Sequence, residues 1–146
     1  MNYLIIIITG ITGAILTFYL SENKKQGPVR ASAILSLIVG LFFYCFPEVL
    51  NPYLTKHIPI VFVGTSFIGM VSSKTVANKK TIALAGVLFS IIYINKNHTF
   101  EGYGGSLGTI AFIALLTSMG FVVLVSKTNT IKHQIVEMIK TIFNKK

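Results

Sequence analysis

Residues 4–20 read LIIIITGITGAILTFYL, an apolar run without one charged side chain. At 1.5 Å per residue, such a run covers most of the roughly 30 Å hydrocarbon core of a bilayer. A secretory signal carries positive charge ahead of its apolar core, whereas here Met1, Asn2 and Tyr3 precede the run and the nearest basic residues follow it. We therefore expect this segment to be a retained membrane span.

The rest of the chain repeats this pattern. Apolar residues make up 53% of the 146 residues and charged residues 12%, about half the roughly 25% typical of a soluble domain. The apolar residues are gathered into blocks, which is the pattern of spans in lipid. The sequence predicts an all-α integral membrane protein whose residues 1–128 hold five transmembrane helices. The predicted spans are about 3–20, 31–46, 58–73, 81–95 and 107–126.

The basic residues predict the orientation. If every block crosses the membrane, all thirteen Lys and Arg residues except Lys56 and Lys96 fall on one side. Positive charge is retained in the cytoplasm during insertion, so the N-terminus is expected outside and the C-terminus inside. The same bias predicts that the short fourth block crosses, because otherwise the basic segments beside it would face opposite compartments. We expect a multi-pass protein of the cell membrane, the cytoplasmic (inner) membrane if the cell is bacterial.

The net charge of +9 does not indicate a nucleic-acid-binding surface, because the charges lie between apolar blocks and not on one face of a soluble domain. The single cysteine, Cys45, allows no internal disulfide and no thiolate cluster. We therefore expect no nucleic acid partner, no bound metal and no cofactor.

Small residues recur at every fourth position in each predicted span, which places them on one face of a helix. Small residues at this spacing let helix backbones approach closely in lipid. We expect the spans to pack through these faces against one another or against a partner chain. The predicted packing residues are Gly10, Ala14, Ser32, Ser36, Gly40, Thr65, Gly69, Gly86, Ser90, Ala114 and Ser118.

Spans two to five form two hairpins that run in the same direction, while the first span stands outside them. Ser73-Lys74-Thr75 and Ser126-Lys127-Thr128 each follow a returning span, and we interpret both as marking its arrival at the cytoplasm. A symmetry between the hairpins would be a parallel repeat about the membrane normal.

The two predicted outer loops, 47–59 and 95–108, have similar polar residues. Each holds one Glu, one Lys, one His and one Tyr, and the prolines at 47, 52 and 59 are expected to interrupt helices. Two histidines and two carboxylates on one side could form a metal or acid–base site, although no recognised motif spacing is present. The residues of this possible outer-loop site are Glu48, His57, His98 and Glu101. We expect them to be solvated residues of the membrane interface.

Residues 129–146 predict a separate helix, because isoleucines recur at three and four while charged residues fill the other face. Thr128 or Asn129 is an acceptable cap for its start. We expect this basic amphipathic tail to lie on anionic lipids of the inner leaflet, with docking to a cytoplasmic partner as the alternative.

The predicted spans contain no Asp, Glu, Lys or Arg, which disfavours a proton-coupled transporter. The sequence favours a non-enzymatic membrane protein that acts through helix association, as an accessory subunit of a membrane complex or as a homo-oligomer. The alternative is a homo-oligomeric pore or facilitator for a small ion or solute. Its possible lining residues are Thr65, Ser66, Thr117 and Ser118.

Overall fold

The computed structural model describes residues 2–23, 27–72, 78–95 and 105–143, with side chains through residue 127 apart from that of residue 23. Within these ranges the protein is all-helical and has no strand, as the sequence predicts. The helices are α1 (Asn2–Asn23), α2 (Pro28–Cys45), α3 (Pro52–Gly69), α4 (Lys79–Asn95) and α5 (Ser106–Phe143).

Prolines begin two of the helices and lie inside one. Pro28 and Pro52 occupy the first helical position, where the missing N–H is not needed. The prediction that residues 47–59 form a loop is wrong, because α3 begins at Pro52 and continues through Pro59. A helix packed among other helices tolerates such a proline, since its neighbours can satisfy the freed backbone groups. The connection between α2 and α3 is therefore short, and Thr55 Oγ1 donates to the Pro47 carbonyl at its edge, at 3.1 Å.

Successive helices run in opposite directions. α1 is parallel to α3 and antiparallel to α4, α2 is antiparallel to α3, and α4 is antiparallel to α5. Gly13 lies by Thr65 and Thr17 by Gly69, which makes α1 parallel to α3, whereas Ile6 by Ser90 and Gly10 by Gly86 make α1 antiparallel to α4. Ser32 lies by Ser66 and Pro47 by Thr55, which makes α2 antiparallel to α3. Leu88 lies by Thr117 and Lys80 by Val125, which makes α4 antiparallel to α5. One end of the bundle thus holds the beginnings of α2 and α4 and the ends of α1 and α3. We call it the basic end, since Arg30, Lys79, Lys80 and Lys127 lie there.

The centre of the bundle is formed where α1 meets α3 and α4. Nine of the 18 residues of α3 are buried, whereas in α2 the buried residues are Ala31 and Ser32. α1 packs against α2, α3 and α4, while its outer face, which includes Leu4, Ile8 and Leu16, is exposed. α2 lies at the periphery.

In the part of the chain that the structure describes, three helices are long and apolar enough to cross a membrane: Asn2–Glu22, Pro28–Cys45 and Ser106–Lys127. The first turns of α3 contain Lys56 and His57, and α4 has 17 residues. Much of α3 and α4 is shielded by the other helices, so these two need less apolar surface than helices that face outward. Large apolar side chains are exposed along the peripheral helices, as expected of a membrane protein, including Leu37, Leu41, Phe112 and Leu124.

α5 does not end where its predicted span ends. Thr128 and Asn129, predicted to begin a separate tail helix, lie inside α5, which continues to Phe143. The sequence from residue 121 onward contains neither Gly nor Pro, so no residue there breaks the helix. Ser126 and Lys127, interpreted above as marking the arrival of a span at the cytoplasm, are exposed residues within α5. Ser73-Lys74-Thr75, interpreted in the same way, lies outside the described residues.

Candidate functional site

One close approach between helices lies at the crossing of α1 and α4. A Cβ added to Gly86 would lie 2.8 Å from the carbonyl oxygen of Gly10, and one added to Gly10 would overlap the Ser90 hydroxyl. Ser90 Oγ donates to the Gly86 carbonyl at 3.0 Å and lies 3.4 Å from the Ile6 carbonyl of α1. The two backbones therefore touch because no side chain stands between them, as is common for helices that pack in lipid.

A second close approach joins α1 and α3. A Cβ on Gly69 would lie 2.5 Å from the Ala14 carbonyl oxygen and 2.6 Å from Thr17 Cβ. Ala14 and Thr17 are fully buried. The Thr17 hydroxyl is the one buried side-chain oxygen in the described part of the chain that has no hydrogen-bond partner. A buried polar group in this condition costs roughly 1–3 kcal/mol.

α2 meets α3 through three serine hydroxyls. Ser66 Oγ donates to the Val63 carbonyl at 2.7 Å, which leaves its two lone pairs to accept. Ser32 Oγ lies 2.7 Å from Ser66 Oγ, and Ser36 Oγ donates to the same atom at 3.4 Å. This small hydrogen-bonded cluster attaches the first half of α2 to the bundle.

The strip of small residues on α2 continues beyond this cluster without a partner. Ser32 is buried and Ser36 is half-buried, but a Cβ on Gly40 would meet no described atom within 4 Å. Gly40 is one turn beyond Ser36 on the same helix face. At Gly40, which is half-buried, this small-residue face of α2 has no described side chain packed on it.

The remaining predicted packing residues are buried in α5. Ala114 and Ser118 are fully buried, and Ser118 Oγ donates to the Leu115 carbonyl of its own helix at 2.8 Å. The predicted packing residues are thus buried in every helix except at Ser36, which is half-buried, and at Gly40, which has space around it.

The four possible pore-lining residues face different neighbours. Thr65 lies against Gly13 of α1 and donates to the Val61 carbonyl at 2.9 Å, while Ser66 lies against α2. Thr117 is exposed and lines a cavity of about 210 Å³ together with Leu84 and other apolar residues of α4 and α5. Three of these hydroxyls, those of Thr65, Ser66 and Ser118, are bonded to carbonyls of their own helices, which is the arrangement of packed spans.

His57, predicted to lie in an outer loop, is part of α3. Its Nδ1 lies 2.7 Å from the hydroxyl of Tyr93 on α4, and its ring packs on that of Tyr53 with centroids 4.2 Å apart. Tyr93 stacks in turn on Phe89. These four aromatic rings join α3 to α4 at the end of the bundle opposite the basic end. Sequence reasoning missed this cluster, although the spacing of four in both pairs, 53 with 57 and 89 with 93, could have indicated it.

The other members of the possible outer-loop site are not brought to His57 by the described structure. Glu48 is exposed in the turn after α2 and lines an open cavity of about 480 Å³ together with Cys45 and its neighbours. His98 and Glu101 lie outside the described residues. Within the described ranges, no three His, Cys, Asp or Glu side chains are grouped so that they could hold a metal ion. Comparison of the chain with protein-family models, curated proteins and solved structures finds no match.

Proposed function

We propose that this chain is a membrane protein that crosses the bilayer five times and acts without enzymatic activity, by associating through its helices. It would work as a homo-oligomer or as an accessory subunit of a larger membrane complex, in the cytoplasmic membrane if the cell is bacterial. The small-residue face of α2 at Gly40, on which no described side chain packs, is the observation that carries this proposal. Lipid-exposed glycine at helical spacing with serine is a common contact between membrane helices.

Two features of the bundle support five crossings with the N-terminus outside. The helices alternate in direction, and among residues whose side chains are described, Arg30, Lys79, Lys80 and Lys127 lie at the basic end and Lys56 lies at the opposite end. Such an asymmetry is typical of a cytoplasmic side. α4, with 17 residues, measures about 26 Å, so a modest local thinning of the bilayer brings both of its ends to the interfaces.

The exposure of α2 supports association in particular. Ala31 and Ser32 are its buried residues. In its second half Val39 and Phe43 pack against the core, while Gly40 meets no described neighbour. Leu37, Leu41 and Phe42 flank Gly40 and are about half exposed or more. A helix from a second chain could seat its own side chains over Gly40 between these larger neighbours. We propose a second copy of this chain as the occupant.

Energy transfer between labelled chains in vesicles tests association. The chains carry donor or acceptor dyes at Glu48→Cys in a Cys45→Ser background. Transfer should exceed that expected from random encounters, and Gly40→Leu should weaken association roughly tenfold, corresponding to about 1.4 kcal/mol. Gly120→Leu is the matched control, because Gly120 of α5 likewise has no described atom within 4 Å. If transfer stays at the random level, capture from native membranes decides whether a different chain binds this face. If Gly40→Leu lowers neither the energy transfer between copies nor the capture of a different chain, the proposal is contradicted.

Cysteine labelling tests the orientation independently. With Cys45 replaced by serine, Glu48→Cys should react with a membrane-impermeant maleimide on intact spheroplasts. Asn78→Cys, which precedes α4 at the basic end, should react only after permeabilisation. The reverse pattern would show that the chain is inserted the other way round.

A further inference from the structure

A groove runs between α4 and α5 on the outside of the bundle. Near the basic end it has a volume of about 530 Å³ and is lined by Lys80, Leu84, Phe121 and Val125, among others. It continues into the 210 Å³ cavity beside Leu88, and the two share Leu84 and Phe121. We call the combined space the α4–α5 groove. Its wall is apolar except at the end where Lys80 lies.

The dimensions of the α4–α5 groove fit a single alkyl chain. Lys80 and Leu88 are eight residues apart on α4, which corresponds to about 12 Å along the helix axis. Packed neighbouring helices have axes about 8–10 Å apart, and a whole helix with its side chains is about 10–12 Å wide. A furrow between two such neighbours is wide enough for a hydrocarbon chain.

The charge at the mouth of the groove favours an anion. Lys79 and Lys80 form the start of α4, and its first turn has no acidic residue. The positive end of the helix dipole lies at this same turn, so two lysines there repel it. Lys127 of α5 lies at the same end of the bundle, next to groove residue Ser126. A negatively charged group beside Lys80 would relieve this concentration of positive charge.

We propose that the α4–α5 groove binds one anionic phospholipid of the surrounding bilayer. One acyl chain lies along Leu84, Leu88 and Phe121, and the phosphate of the headgroup pairs with the Lys80 ammonium. This inference rests on the proposed membrane crossing, because it requires Lys80 to lie at the depth of the headgroups. The groove site is separate from the predicted tail. It binds one specific lipid, whereas the tail is expected to be attracted to the anionic membrane surface in general.

Photolabelling of the reconstituted full chain tests the proposal. The protein is placed in phosphatidylcholine vesicles that contain a minor fraction of phosphatidylglycerol with a diazirine on its acyl chain, and labelled residues are mapped by mass spectrometry. Label should concentrate at Leu84, Leu88 and Phe121. The phosphatidylcholine analogue with the same diazirine chain should label these positions about fivefold less, the factor expected for one basic contact.

Lys80→Gln should lower labelling by the anionic probe about fivefold and labelling by the zwitterionic probe less, because the choline of that probe offsets the charge of its own phosphate. Lys79→Gln is the matched control, because it removes an equal charge from the same turn without lining the groove. Leu84→Trp, which fills the groove, should reduce labelling by both probes. The double substitution Lys132→Gln and Lys140→Gln in the tail should leave the labelled positions unchanged.

Three results would overturn the inference. Label spread evenly over exposed apolar positions such as Ile113 and Leu116 would show ordinary boundary lipid. Equal effects of Lys80→Gln and Lys79→Gln would show diffuse attraction, and loss of labelling only in the tail variant would place the anionic contact in the tail. If cysteine labelling still gives the proposed orientation, any of these results removes the groove site alone. The reverse orientation would instead remove the membrane arrangement on which the site rests.

Discussion

Replacing Gly86 with alanine should weaken the contact between α1 and α4. The added Cβ would lie 2.8 Å from the Gly10 carbonyl oxygen and 3.1 Å from both the Gly10 carbonyl carbon and Ile11 Cα, whereas ordinary contacts begin near 3.4 Å. All three neighbours are backbone atoms, so no side chain can rotate away. Relief requires the two helices to separate by roughly 0.6 Å, a gap that forfeits about a quarter to a half of the attraction between the atoms along the contact.

The free energy of unfolding should fall by about 1–2 kcal/mol. Overpacking of this kind costs roughly 1–3 kcal/mol, while the change from glycine to alanine inside a helix returns about 0.5–1 kcal/mol. Titration of the micelle-solubilised protein with dodecyl sulfate, followed by far-ultraviolet circular dichroism, measures this difference.

Gly120→Ala is the matched control for this experiment. Gly120 lies within α5 and has no described atom within 4 Å of an added Cβ, so the substitution gains helix propensity without a clash. It should be as stable as the wild type or more stable by up to about 1 kcal/mol. Equal stability of Gly86→Ala and Gly120→Ala would refute the reasoning, because it would mean that the backbones of α1 and α4 are not in contact.

Four further substitutions test the polar contacts inside the bundle by the same titration. Thr17→Val should raise the free energy of unfolding by about 1 kcal/mol, because it replaces a buried hydroxyl that has no partner with a methyl group of similar size; a loss of stability would mean that the hydroxyl is bonded. Tyr93→Phe should lower it by about 1 kcal/mol through loss of the bond to His57, and a second substitution, His57→Phe, should add little further loss; fully additive losses would contradict that pairing. Ser66→Ala should lower it by roughly 1–3 kcal/mol, since it removes the acceptor of the serine cluster on α2, and an unchanged value would show that the cluster does not hold α2.

The helices themselves could be predicted from the sequence because apolar blocks in lipid must satisfy their backbone groups internally. Their ends were less predictable. Pro59 indicated a loop on local grounds, yet packing of α3 among its neighbours keeps the helix intact through it. Thr128 and Asn129 have side chains that can cap the start of a helix, but an N-cap acts only at a helix start, and α5 runs through both positions.

The spacing of small residues indicated which helix faces turn inward but not what each face meets. Gly40 has the same spacing as Ser32 and Ser36, and only the three-dimensional arrangement shows that no described side chain packs on Gly40. The prolines and polar residues around His57 predict a loop at this position. The partner of His57, Tyr93, lies 36 positions later in the chain, and no local pattern links the two.

The contacts of α1 with three later helices have a consequence for biosynthesis. This helix leaves the ribosome first, yet α3 and α4, which cover its glycine contacts, are made later. Until they are made, Gly10 and Gly13 of α1 lack the residues that pack against them. Its contacts join residues far apart in the chain, and such contacts form slowly. We therefore expect the bundle to be completed only after α3 and α4 have been made. A chain interrupted after α2 would hold α1 without the helices that pack against its glycines.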